Sequence, residues 1–404
     1  MAAVPPQPTA GEHSPPEPTT TPYFSLCEQR LRANAARFGR CFPDAEVLYA
    51  VKANGAPAVL QAHARDGGSF EVASIGELRQ LDEVAPNLDP SRILLGTAVK
   101  PAAAIEQAVA RGLDRFAFDS AEELAKLARW APGARVYLRL VVGDGGSVFT
   151  MSEKFGARVV DGAALMSQAA DHGLVPWGLS FNVGSQARES HAWADAIDTI
   201  APLVEQLLGA GLRIDALNLG GGFPSAYYGS DAAALETIAH HTRDALARLP
   251  YDVPHLLLEP GRALVADAAT LSTTVIGRAQ RGARTWLYLD AGVYNALFET
   301  LACQGRARYR VTSSRPAVGP PSEFVLAGPT GDGLDVIDLG AALPPDTDLG
   351  DVLVFHEVGA YSASLASHFN GFDPAPTIAH PAGATCDRCE PVPQPKRQAT
   401  GVGA

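Results

Sequence analysis

Eight short segments of β-strand character recur along the first two thirds of the chain, and segments of helical character separate them. Strands that alternate with helices form parallel βα units, and eight such units match a (β/α)8 barrel. A doubly wound open sheet has the same alternation and is the alternative. We predict an α/β fold with a (β/α)8 TIM-type barrel over residues 43–264. The segments are EVLYAVK (46–52), SFEVAS (69–74), RILLGT (92–97), RFAFDS (115–120), RVYLRL (135–140), WGLSFNVGS (177–185), ALNLGGGF (216–223) and HLLLEPGR (255–262).

The chain changes character after residue 264. Strand-like segments such as ATLSTTVIGRAQ, RTWLYLDAG, SEFVLAGPT and DVLVFHEVGAYS follow one another without long helices between them. They predict a second, mostly antiparallel β domain over residues 265–374, and the segment 22–42 is expected to join it. Residues 1–21 and 375–404 are rich in proline, threonine and alanine and poor in large apolar residues, so we predict disordered tails at both ends.

The second tail contains the motif Cys386-x-x-Cys389, with His380 nearby. Half of a zinc or redox site is one interpretation. A structural zinc site needs four ligands at set spacing, however, and the remaining cysteines lie far away in sequence. We therefore interpret the pair as incidental thiols of a loose tail and predict no metal site.

Composition excludes several classes of function. The formal net charge is −12, which leaves no basic surplus for binding nucleic acid. No apolar run reaches the roughly 18–20 residues of a membrane span, and the first residues lack the basic start and apolar core of a secretory signal. Five scattered cysteines do not make a disulfide scaffold. We expect a cytoplasmic protein with a small-molecule substrate.

Residues with useful chemistry follow the predicted strands, at the end where barrels place their active sites. An amine that closes an apolar strand becomes a nucleophile toward carbonyls when desolvation lowers its pKa, although a lysine that extends into solvent is the simpler interpretation. The glycine run 220–222 and a nearby arginine suit a phosphate, and a carboxylate suits an aromatic ring nitrogen. Together these groups describe a pyridoxal phosphate site. The residues concerned are Lys52, Glu71, Arg139, Asn182, Ser185, Gly220, Gly221, Gly222, Glu259 and Arg262.

The motifs resemble the fold-type III pyridoxal phosphate decarboxylases, the group of ornithine, arginine and diaminopimelate decarboxylases. The resemblance runs from about residue 23 to 373, and GGGFP, GVYNALF and GPTGDGLD are most similar to the ornithine branch. The other matching segments are YAVKAN, FEVASIGEL, FAFDSAEEL, SEKFGA, FNVGSQ, EPGRALVA and GDVLVFHEVGAYSASLASHFNGF.

This resemblance implies roles for individual residues. Lys52 would hold pyridoxal 5'-phosphate as a Schiff base, and Glu259 would pair with the pyridine nitrogen. The phosphate would contact Ser185, Gly222, Arg262 and Tyr361. The other cofactor contacts implied are Glu77, Arg139, Asn182, Gly221 and Gly261.

The resemblance also implies a head-to-tail homodimer with active sites at the interface. GPTGDGLD would reach into the partner's site, where Asp332 would face the distal end of an amino-acid substrate. Asp332 is thus predicted to be both catalytic and substrate-facing.

Three positions depart from the family pattern. Gly331 replaces the cysteine that is the expected proton donor, and Asn182 replaces the histidine that stacks on the cofactor ring. Cys303 lies near the place of an aspartate that the ornithine branch uses for specificity. Loss of one carboxylate suggests a substrate with a different tail, so we predict a specialised amino-acid decarboxylase, with Cys303 as a further substrate contact.

Two alternatives remain open. Without the cysteine, the cofactor could direct decarboxylation-dependent transamination or racemisation instead. The chain could also be a catalytically weak regulatory homologue that binds a protein partner, as some relatives of ornithine decarboxylase do. The presence of Lys52, Glu259, Arg262 and the glycine run argues against the regulator.

Overall fold

We describe the fold from a computed structural model, which covers residues 20–151, 154–227, 232–303, 308–316 and 318–381. The predicted tail 1–21 lies outside the described residues except at its last two positions. Residues 382–404, including Cys386 and Cys389, also lie outside them. None of the described helices is long and apolar enough to cross a membrane.

The segment 22–42 divides between the two parts of the molecule. Strand β1 (Tyr23–Cys27) is buried throughout and pairs with strands of the second domain. Helix α1 (Glu28–Cys41) instead packs on the barrel, where Phe38 meets Phe223 edge-on with ring centroids 5.2 Å apart. Within this segment, therefore, β1 pairs with strands of the β domain, whereas α1 buries its apolar face against the barrel.

Eight parallel strands form a closed barrel in which the last strand pairs with the first. The TIM-type barrel is confirmed, and the open sheet is wrong. Side chains that point inward from the strands fill its centre, including Tyr137 and Trp177 in edge-on contact. The strands are β2 (Ala45–Ala50), β3 (Ser69–Val72), β4 (Ile93–Leu95), β5 (Arg115–Phe118), β6 (Arg135–Leu140), β7 (Val175–Phe181), β8 (Ala216–Asn218) and β9 (His255–Leu258).

Helices surround the barrel and begin where the sequence provides caps. Ser74 and Ser120 accept the backbone N–H three residues on, as N-cap serines do. The helices of the barrel are α2 (Pro57–Arg65), α3 (Ile75–Val84), α4 (Ala102–Ala110), α5 (Ala121–Trp130), α6 (Gly162–Asp171), α7 (Ala192–Gly209) and α8 (Leu235–Leu246), followed by the short α9 (Arg262–Val265).

The second domain is a mostly antiparallel sheet, as predicted, in the order β12-β15-β10-β11-β13-β14. β1 adds antiparallel to β10, and among the described strands of this second domain only the pairs β11–β13 and β1–β16 are parallel. The sequence did not predict β12, β14 or β16, which are short or mostly half-buried and so lack a clear apolar alternation. The elements are β10 (Ala269–Arg281), β11 (Arg284–Leu289), α10 (Glu299–Ala302), β12 (Val311–Ser313), β13 (Ser322–Ala327), β14 (Val336–Leu343), β15 (Val352–Phe355) and β16 (Thr377–His380).

The predicted start of the disordered tail, residue 375, is too early in the sequence, because a strand follows it. Residues 377–380 form β16, which pairs in parallel with β1, and His380 shares a buried hydrogen bond of 2.7 Å with Ser25. A four-residue strand flanked by prolines has too little apolar content to predict alone, and its order comes from the neighbouring strand.

Deleting residues 377–404 should lower the melting temperature by several degrees, because β1 loses one of its two hydrogen-bonded neighbours. Deleting residues 382–404 leaves every described strand in place and is the matched control, with no change expected. Differential scanning calorimetry of both truncated proteins tests this, and equal melting temperatures would contradict the role of β16.

Candidate active site

Lys52 lies in a 3-10 turn, Val51–Ala53, at the carboxyl end of β2. Its Nζ is 2.5 Å from Oε2 of Glu71, which lies in β3 and is buried. Burial opposes the ammonium charge, but Glu71, Tyr361 and Glu259 outweigh it and raise the pKa of Lys52. Desolvation acts in the predicted direction, but the net pKa is raised, because the sequence did not show which groups surround the amine.

Glu259 follows β9 and completes a group of two carboxylates and one amine. Asn218, the last residue of β8, donates from Nδ2 to Glu259 Oε1 at 2.6 Å. Burial, with the charge of Glu71 added, raises the pKa of Glu259, while Lys52 and Arg139 act in the opposite direction. This position suits a carboxyl that exchanges a proton with a ring nitrogen.

Arg139 and Asn182 lie at the ends of neighbouring strands. Arg139 is in β6, with its guanidinium 5.2 Å from the ring centroid of Phe155. Asn182 follows β7 and accepts a hydrogen bond from the backbone N–H of Gly184 at 2.9 Å. Its side chain therefore folds back on its own loop.

The glycine run after β8 brings three loops into close backbone contact. Gly222 has φ +94°, and a Cβ on it would collide with the carbonyl oxygen of Gly184. A Cβ on Gly221 would lie 2.7 Å from the carbonyl oxygen of Glu259. Gly261 is equally tight, since its Cβ would lie 2.8 Å from that of Ala53 beside Lys52. Only glycine fits at these three positions, Gly221, Gly222 and Gly261, which we call the glycine cup. The cup suits the close approach of an anion to backbone N–H groups.

Arg262 is buried beside this cup. It donates from Nη2 to Ser185 Oγ at 3.2 Å, and its guanidinium lies 4.8 Å from the ring centroid of Tyr361. Glu299 accepts two hydrogen bonds from it, at 2.5 and 2.7 Å, and the Tyr227 hydroxyl accepts a third at 2.5 Å. The sequence analysis missed Glu299 and Tyr227. The only signal was a carboxylate in the apolar stretch LFETLAC.

Tyr361 also clamps the turn that carries Lys52. Its backbone N–H donates to the carbonyl of Ala53 at 2.8 Å, and Asn54 donates from Nδ2 to the carbonyl of Gly359 at 2.9 Å. Tyr361 has φ +53°, a left-handed conformation that is uncommon outside glycine. The β domain thus fixes the position of Lys52.

Three predicted residues have other neighbours. Glu77 caps α3, where its Oε2 accepts from the backbone N–H of Ala73 at 2.6 Å. Asp332 lies between β13 and β14 and accepts a hydrogen bond from the Tyr294 hydroxyl at 3.1 Å. Cys303 is buried after α10, with Sγ 3.4 Å from the carbonyl oxygen of Thr300. No hydrogen bond or ion pair found among the described residues joins these three to Lys52 directly.

An amine, a buried acid and a phosphate cup at the carboxyl end of a TIM-type barrel define a class of pyridoxal phosphate enzymes. The family model described as "Pyridoxal-dependent decarboxylase, pyridoxal binding domain" matches residues 28–266. The chain belongs to this family of pyridoxal-dependent decarboxylases.

Known proteins similar to the chain include decarboxylases and one regulator. The lysine/ornithine decarboxylase of Selenomonas ruminantium is 32% identical over 369 residues, covering 89% of each protein. Antizyme inhibitor 2 of Xenopus laevis is 31% identical over 356 residues, 84% of this chain and 76% of that protein. The crystal structure of the Vibrio vulnificus lysine/ornithine decarboxylase with cadaverine is 30% identical, with TM-score 0.81, and the match covers 89% of this chain and 94% of that one.

The residues present fit the pyridoxal phosphate of this family. Arg262 Nε is buried and has no hydrogen-bond partner among the described residues, as expected beside an anion site. Lys52, Ser185 and the backbone N–H groups of the glycine cup supply an amine and neutral donors at the same end of the barrel. Within the described residues, no three His, Cys, Asp or Glu side chains are grouped as metal ligands.

Replacing Glu71 with glutamine removes a charge that raises the pKa of Lys52, so more of the amine is neutral at a given pH. We expect the pH midpoint for reaction of Lys52 with added pyridoxal phosphate, followed by absorbance, to fall. Glu46→Gln is the matched control, since that carboxylate pairs with Arg115 near the amino end of β2, opposite the end that carries Lys52, and should leave the midpoint unchanged. A midpoint that stays constant in Glu71→Gln would contradict this account of Lys52.

Proposed function

We propose that the protein removes the α-carboxylate of an amino acid to give an amine, with an ornithine- or lysine-like molecule or a specialised biosynthetic amino acid as substrate. The observation that carries the proposal is the meeting of Lys52, Glu259 and Arg262 at one end of the barrel. Pyridoxal phosphate, when bound, supplies an electron sink for the electron pair left by loss of CO2.

Each residue has a defined task in this proposal. Lys52 would hold the cofactor through Nζ and, with Glu71 Oε2 2.5 Å away, would serve as a proton donor or acceptor. Glu259, oriented by Asn218, holds a proton at the pyridine nitrogen. Ser185, the glycine cup, Arg262 and Tyr361 would hold the phosphate end, and the family resemblance would place Arg139, Asn182 and Glu77 around the cofactor.

We propose that the protein acts as a homodimer. Asp332 is tied to Tyr294 of its own β domain, and the apolar side chains of Leu334 and Phe369 nearby are 58% and 40% exposed. Covering this surface with a second copy would bring Asp332 toward that copy's Lys52, where a carboxylate suits a distal ammonium. Cys303 remains a substrate contact on sequence position alone, and we infer a cytoplasmic location.

The regulatory function is the second candidate, because antizyme inhibitor 2 is among the similar proteins. A regulator that acts only by binding protein has no use for an amine between two carboxylates. Fixation of pyridoxal phosphate on Lys52 by borohydride therefore favours the enzyme, and absence of fixation favours the regulator.

The deciding experiment incubates the protein with pyridoxal phosphate and a panel of amino acids in heavy water, with products analysed by mass spectrometry. The panel contains ornithine, lysine, arginine, diaminopimelate and neutral and acidic amino acids. We expect an amine with one deuterium at Cα, and no product from Lys52→Ala. Aldehyde with pyridoxamine phosphate would instead indicate transamination, an amino acid deuterated at Cα would indicate racemisation, and no turnover at all would contradict the proposal.

Restoring the family's cysteine tests the meaning of Gly331. A Cβ at this position would have Asn370 Nδ2 at 3.9 Å as its nearest described neighbour, so Gly331→Cys should fold normally. If protonation at Cα limits turnover, we expect the rate of amine formation to rise by about a hundredfold, the lower end of what a placed general acid contributes. Gly331→Ser is the control, and an unchanged rate in Gly331→Cys would contradict this hypothesis.

A further inference from the structure

The hydrogen-bond donors of Arg262 are almost fully occupied within the chain. A guanidinium has five N–H donors. Nη1 donates to Glu299 and Tyr227, and Nη2 donates to Glu299 and Ser185. These four bonds use every terminal N–H and leave only Nε without a partner among the described residues. The arginine beside the phosphate cup is therefore already bound to a carboxylate.

The two charges are also shielded from water. The side chains of Arg262 and Glu299 are 4% and 8% exposed, so solvent screens them little. A phosphate next to Ser185 would meet a neutral ion pair rather than an isolated cation. It would be attracted by Arg262 and repelled by Glu299.

We propose that Glu299 is an internal counter-ion that competes with the cofactor phosphate for Arg262 and so lowers the affinity for pyridoxal phosphate and for free phosphate. This inference rests on the proposed placing of the phosphate at Arg262. Nη2 donates one N–H to Ser185 and the other to Glu299 Oε1, so an anion at Ser185 would share this nitrogen with the carboxylate of Glu299.

The opposite function for Glu299 would be to orient Arg262 for the phosphate. The two functions differ in sign: removing a competitor strengthens phosphate binding, whereas removing a positioning residue weakens it. The sign of the change in affinity therefore decides between them.

Glu299→Gln tests the proposal, with Glu46→Gln as the matched control. Glu46 pairs with Arg115, which is 5% exposed, at the amino ends of β2 and β5, opposite the end that carries Lys52. Both substitutions remove a carboxylate from a buried arginine and should lower the melting temperature of the cofactor-free protein. Absorbance titration gives the Kd for pyridoxal phosphate, and the thermal shift with inorganic phosphate gives the second affinity.

We expect Glu299→Gln to lower both Kd values by roughly ten- to a hundredfold, since one nearby charge is removed from a poorly screened site. Glu46→Gln should leave both values unchanged. An unchanged or raised Kd in Glu299→Gln, with the wild type binding normally, would overturn the proposal. If the wild type bound no pyridoxal phosphate, the proposed function would fail instead.

A second variant keeps the test decisive if Glu299→Gln does not fold. Glu299→Asp keeps the charge but withdraws it by one methylene, so a smaller fall in both Kd values is expected. Unchanged or higher values in Glu299→Asp would then overturn the proposal.

Discussion

A buried guanidinium where the barrel meets the β domain is the interaction on which the arrangement of the site depends. Moving a lone cation into such a place costs several kcal/mol, and only paired and hydrogen-bonded charges recover that cost. Glu299 supplies the pairing charge from the β domain, and Tyr227 and Ser185 supply acceptors from two barrel loops. The same guanidinium therefore sets how the domains meet and how strongly this end of the site attracts an anion.

The amine end of the site is fixed by the same junction. The turn that carries Lys52 follows β2, and backbone and amide bonds from Ala53 and Asn54 tie it to the segment around Tyr361. Tyr361 also lies over Arg262, so one strained residue contacts both ends. Residues far apart in sequence thereby hold the amine and the guanidinium at a set separation, which is what a rigid cofactor with an aldehyde and a phosphate requires.

The barrel could be predicted because each βα unit shows its own local pattern, and the site residues could be listed because barrels collect them at one end. The hydrogen-bond partners of the site residues could not be predicted, because they depend on distances between loops. The bonds of Asn218 to Glu259 and of Glu299 to Arg262 join different loops. The Lys52 pKa illustrates this most clearly, since burial alone predicts a fall and the carboxylates reverse it. β16 illustrates the same limit for the fold, because its order comes from β1.

In the loop between β13 and β14, one residue anchors the backbone and a different residue is exposed. Asp335 is buried and accepts hydrogen bonds from the backbone of Val293 at 2.7 Å and from the Thr330 hydroxyl at 2.7 Å, which fixes the base of the loop. Gly331, by contrast, is exposed and faces open space. A side chain can therefore be gained or lost at position 331 without disturbing the fold, while Asp335 keeps the loop in place.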